Sequence, residues 1–128
     1  MTLDKDNWQE RNRILNITDK ESGGGAVNFE SLTLDSLNEL VEKNFINLKE
    51  CQNCSPSISE IRNFMTEYPD FTAHGYAIVP ERSDYGVSLE GVSLKRKPTK
   101  EERDDFVTVF RHADSFICNN VMCFCWYD

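Results

Sequence analysis

The side chains best suited to chemistry in this sequence are thiols. Cys51-Gln52-Asn53-Cys54 has the spacing at which two thiolates grip one zinc ion. Cys123-Phe124-Cys125 would have to supply the other two ligands. Only one residue separates that second pair, and on a strand the two thiols share a face but stand about 7 Å apart. Free cysteine usually serves as a small core residue, which is how Cys123 and Cys125 read. A redox dithiol is the other use for Cys51 and Cys54. It requires the first cysteine at a helix N-terminus directly after a strand, where the dipole lowers its pKa. Here the preceding segment has helical periodicity and the next helix start lies at Pro56-Ser57, so the pair reads as part of an interhelical loop.

Two histidines, His74 and His112, are the only imidazoles available to activate a nucleophile. His112-Ala113-Asp114 precedes Cys118 and is the nearest approach to a thiol–imidazole–carboxylate set. Its position at the end of a predicted helix suits a simple dipole-complementing role better. His74, before Gly75, reads as a polar residue at a strand end. Asp104 and Asp105 are adjacent and so diverge on a helix surface rather than forming an acid–base pair. No phosphate-binding loop, nucleophile elbow or H-E-x-x-H motif occurs. The expectation is a protein that is not an enzyme, with no catalytic residue, no metal and no cofactor. A structural or regulatory zinc site on Cys51, Cys54, Cys123 and Cys125 is the alternative; an uncharacterised globular domain of unknown role is the residual one.

Charge is the remaining signal. The 128 residues carry 22 acidic and 14 basic side chains, a formal charge of −8. That balance repels phosphates and argues against nucleic acid or an anionic membrane as partner. Lys95-Arg96-Lys97 with Lys100 is the one basic cluster, and its acidic flank marks it as a solvated connection. Between Glu30 and Asp70 there are eight acids against three bases. Glu39, Glu42, Glu60 and Glu67 would then present an acidic face to a basic partner protein, in the manner of an immunity protein or nuclease inhibitor. Charge of this kind supplies association rate, and a nearby exposed aromatic would supply affinity.

The elements that must position these residues follow from periodicity. Leu34, Leu37, Leu40, Val41 and Phe45 form one stripe of a helix capped by Thr33 or Ser36. Ser57 and Glu60 make a capping box opening a second helix, lined by Ile58, Ile61, Phe64, Met65 and Tyr68 and ended by Pro69. Thr99 and Glu102 do the same for a third, with Phe106, Val107, Val109, Phe110 and Ala113 as its apolar face. Gly75–Val79 and Tyr85–Glu90 read as paired strands. Val92 and Leu94 fall on the opposite parity from Val87 and Leu89, which predicts a bulge or bend at Gly91. Val121–Tyr127 is apolar at both parities and predicts a central strand, paired with Phe116–Cys118 through a tight Asn119-Asn120 turn that uses positive φ. Residues 1–30 read as a peripheral hairpin or arm, with strands at Arg13–Thr18 and Ala26–Leu32 around Gly23-Gly24-Gly25. A helix through Trp8 and Leu15 is also compatible.

Together these predict a single α+β domain over residues 1–128: an antiparallel sheet of about four to six strands packed by two or three helices in a single layer on one face. The polar, acidic first ten residues lack the features of a secretory signal, so a cytoplasmic location with reduced thiols is expected. Nothing in the sequence sets the oligomeric state.

Overall fold

Three of the helix starts are held by hydroxyl caps. The computed structural model describes residues 2–17 and 25–128; Gly23 and Gly24 of the glycine run lie outside them. Helix α2, Leu34–Glu42, begins where the Thr33 hydroxyl accepts from the Ser36 amide. Helix α3, Ile58–Glu67, and helix α4, Lys100–Phe110, each open on a complete capping box, Ser57 with Glu60 and Thr99 with Glu102. Each box satisfies two amides that the helix itself leaves without partners. Helix α1, Trp8–Ile14, has no side-chain cap.

The strands are β1 Ala26–Leu32, β2 Thr72–Ile78, β3 Gly86–Leu94, β4 Ser115–Cys118 and β5 Cys123–Trp126. They form an antiparallel sheet in the order β1-β2-β3-β5-β4. With the four helices of the described residues, this is the mixed α+β class expected. Ile14 and Leu15, Leu37 and Leu40, Ile58, Ile61 and Met65, and Phe106 and Phe110 carry the four helices into one buried cluster. The sheet contributes Phe29, Ala73, Ala77, Val87, Leu89, Val92, Leu94, Cys123 and Cys125 to the same cluster. The alternate positions of β2, β3 and β5, among them His74, Tyr76, Ser88, Glu90, Phe124 and Trp126, are not part of it.

The phase slip in β3 is a bulge. His74 pairs with Gly91 and Gly75 with Leu89, which leaves Glu90 as the extra residue. That insertion turns Val87, Leu89, Val92 and Leu94 all toward the core. Gly91 is needed because a Cβ there would stand 1.9 Å from the Cys125 carbonyl oxygen and 2.6 Å from His74 Nε2.

Five expectations are corrected. Arg13–Ile17 is not a strand: Trp8–Ile14 is helical, and Asn16, with φ 59°, ends the helix. The Ile17 amide bonds the Asn12 carbonyl at 2.9 Å and the Asn16 amide the Arg13 carbonyl at 3.1 Å, a left-handed stop that no glycine announces. Far from being peripheral, the segment buries Arg11 to 1% exposure, where it donates to the Ile78 and Gly86 carbonyls and lies over the Tyr85 ring. The last strand is shorter than 121–127, since Val121 is 70% exposed. It does lie between two others, but Phe124 and Trp126 are only half-buried. The hairpin before it is a four-residue loop, Asn119 to Met122, with neither asparagine at positive φ. Instead the Asn119 Oδ1 accepts from the Val121 and Met122 amides at 2.8 and 3.0 Å. His74 is also not at a strand end, as described next.

Candidate functional site

The thiols are divided by burial. Cys51 and Cys54 are exposed in the loop between α2 and α3, where Asn53 and Cys54 both hold left-handed backbone. Cys123 and Cys125 are fully buried under the helices. Among the described residues no group of three or more histidine, cysteine or carboxylate side chains is arranged to hold a metal. The Cys125 sulfur accepts from the Val92 amide at 3.4 Å, and burial pushes its thiol up to about 12. These are the properties of core residues.

His74 is the third residue of β2 and is 4% exposed. Its ring stacks on Phe124 and Trp126, with centroids at 5.2 and 4.8 Å, and its Nε2 lies 2.8 Å from the Cys125 carbonyl oxygen. Burial lowers its pKa, the backbone hydrogen bond opposing. The neutral ring therefore donates Nε2–H to the carbonyl and acts as a flat packing element. His112 is exposed in the turn after α4, and Asp114 accepts from the Asp128 amide rather than orienting an imidazole. In the basic cluster, Arg96 grips Glu102 with two bonds of 2.9 and 2.8 Å and reaches Asp70 at 2.8 Å, while Lys100 pairs with Asp104 at 2.8 Å.

The four candidate acids divide into two environments. Glu39 is bound by Lys43 at 2.9 Å and lies 3.6 Å from Arg13, and the same Lys43 holds Glu10. Its charge is largely neutralised locally. Glu42 is exposed on α2. Glu60 and Glu67, by contrast, are two helical turns apart on α3 and line one groove of about 320 Å³ against α4. Phe64 and Tyr68 line the groove with them, and Asp105, Thr108 and Val109 form the facing wall. Val109 is among the exposed large hydrophobic residues of the described structure.

Compared with known proteins, the chain matches no family model, no curated protein and no solved structure.

The groove exists because α3 and α4 meet through aromatic rings. Phe64 stands edge-on to Phe110 at 5.0 Å, and the Tyr68 hydroxyl donates to Asp105, with Glu101 Oε1 at 3.3 Å. Donation to the Asp105 carboxylate, with the surrounding negative charge, raises the Tyr68 pKa well above its ordinary value. The phenol stays protonated and tethers that carboxylate. Glu60, Glu67, Glu101 and Asp105 make no ion pair among the described residues. Three carboxylates without an ion-pair partner, Glu60, Glu67 and Asp105, thus line a cleft with Phe64 and Tyr68, and Glu101 stands beside the Tyr68 hydroxyl.

A larger open depression of about 560 Å³, bordered by Lys5, Lys49, Glu50, Asp84 and Tyr85, mixes both signs of charge and has no such polarity. Sequence reasoning missed Asp105, Tyr68 and Val109 as site residues. The signal present was the one-turn repeat Glu101, Asp105, Val109 on α4, but nothing in the sequence places that stripe beside Glu60 and Glu67.

Proposed function

We propose that this protein is a small acidic binding protein without catalytic activity that receives a basic protein partner in the groove between α3 and α4. The observation that carries the reading is the set of carboxylates without an ion-pair partner, Glu60, Glu67 and Asp105, that line the groove beside Phe64, Tyr68 and Val109, with Glu101 next to the Tyr68 hydroxyl. A lysine or arginine entering there exchanges water for carboxylates while its aliphatic stem covers Phe64, Tyr68 and Val109. Carboxylates at the rim accelerate encounter, and the desolvated centre slows release. No helix among the described residues is long and apolar enough to cross a membrane, and the negative surface disfavours a phosphate-bearing partner.

The test is a titration of the protein with a short oligo-arginine peptide, followed by amide NMR, at low and moderate salt. Shifts concentrated at Asn63, Phe64, Tyr68, Thr108 and Val109, weakened by salt and abolished in E60Q/E67Q, are the expected result. Shifts scattered over the whole acidic surface, or unchanged in that variant, would reject the groove as the site.

A further inference from the structure

We propose that Cys118 and Cys123 form a redox-active pair that closes into a disulfide across the mouth of the β4–β5 hairpin, with a low-molecular-weight disulfide of the glutathione class as oxidant. The two residues are direct cross-strand partners, and their sulfur atoms stand 3.9 Å apart. Paired residues of an antiparallel ladder project to one face with Cα atoms about 4.5–5.5 Å apart, inside the range that a disulfide spans. The sulfurs have then to approach by about 1.9 Å to reach the length of a disulfide bond. The hairpin is held in that register without the bond. The Asn119 amide donates to the Met122 carbonyl at 3.1 Å, and the Asn119 side chain ties down the loop amides. The ladder therefore presents the thiols as its last pair before the loop.

The other cysteines lack this arrangement. Cys125 faces the core and is engaged by the Val92 amide, and on its own strand it is two residues from Cys123. Cys51 and Cys54 are exposed and lie on a separate loop.

The two thiols are unequal, which sets the order of events. Cys118 is half-buried, whereas Cys123 is fully buried. Burial, then the neighbouring Cys118, with Glu102 of α4 and Cys125 adding to it, push the Cys123 thiol up to about 12. The thiolate of Cys118 attacks the external disulfide, forming a mixed disulfide and expelling one thiolate. The sulfur of Cys123, giving up its proton to solvent or to that departing thiolate, then attacks the Cys118 sulfur and displaces the second thiol. Two protein thiols are oxidised, and one external disulfide is reduced to two thiols. In a reducing compartment the pair rests as the dithiol and closes under oxidative load. Closure fastens β4, which among the described residues is an edge strand paired with β5 and whose Phe116 stacks on Phe106 of α4 at 5.1 Å.

The experiment uses the full chain carrying C51S/C54S, alongside wild type, equilibrated against mixtures of oxidised and reduced glutathione. Remaining thiols are alkylated in denaturant, and the mass is read before and after cyanogen bromide cleavage. Met122 lies between the two cysteines, so a Cys118–Cys123 bond holds the cleaved fragments together. The expected result is loss of two hydrogen atoms, linked fragments and Cys125 as the alkylated thiol, all abolished by C118S. A stable glutathione adduct on Cys118, a bond to Cys125, a bond confined to Cys51 and Cys54 in the wild type, or no oxidation would each overturn the proposal.

Discussion

At the scale of single residues, the most informative groups are those buried with charge. Arg11 and Glu102 are both covered, yet their charges are served differently. Glu102 is held below the ordinary carboxylate range by Arg96, and the Thr99 amide adds to the effect. Arg11 has carbonyl oxygens, an amide side chain and an aromatic face instead of a carboxylate. Glu90, the bulge residue, is 6% exposed and has no ion pair among the described residues. Burial raises its pKa; the Ser88 hydroxyl opposes this, and the charges of Asp128 and Glu50 add to it. The folded state therefore keeps the proton to higher pH than the unfolded chain does. Stability attached to this group is present at acid pH and is lost as pH rises through the folded value. Glu90→Gln should consequently stabilise the protein at neutral pH by less than about 1 kcal/mol, nearby solvent screening the effect. The gain should shrink below pH ~4, where the native side chain is itself neutral. Denaturant midpoints of both proteins at the two pH values check this; an equal difference at both would show that charge is not the cause.

At the scale of elements, helix starts and helix stops differ in how openly they are written. Ser57-x-x-Glu60 and Thr99-x-x-Glu102 are legible because hydroxyl and carboxylate types recur at a fixed spacing. The stops of α1 and α2 use asparagine: Asn16 at φ 59° and Asn44 at φ 62°. After each, an amide reaches back five residues, Ile17 to Asn12 and Phe45 to Leu40. Asparagine tolerates that conformation but also suits ordinary loops, so residue type alone does not mark these ends. For Asn16→Ala the expected cost is about 1 kcal/mol, and Asn16→Gly should be neutral or stabilising. Thermal unfolding of the two variants separates them. Equal destabilisation by both would mean that the side chain, not the backbone, matters there.

At the scale of the whole molecule, the excess of acidic residues has to be reconciled with folding. Part of it is absorbed by local pairing, as in the Glu10, Arg13, Glu39 and Lys43 cluster. The carboxylates around the α3–α4 groove are not so absorbed. If their use is binding, removing charge there relieves repulsion within the fold while weakening a basic partner. E60Q/E67Q should keep wild-type stability to within about 0.5 kcal/mol, or gain at low salt, because glutamine preserves the capping role of residue 60. A loss of stability in this double variant, measured by urea unfolding at low and moderate salt, would assign these acids a structural role instead.

The residue order alone was enough for the chemical classes at hand, the α2, α3 and α4 periods, two capping boxes and the break in β3. Each of these is encoded in spacings of two to four residues, where backbone geometry alone decides which side chains are neighbours. It took the tertiary structure to set Asp105 across a groove from Glu60 and Glu67 and to bring Arg13 and Glu10 to the Glu39–Lys43 pair. These contacts depend on how helices and strands far apart in the chain pack. Packing is selected by total burial across the domain, which no local pattern specifies.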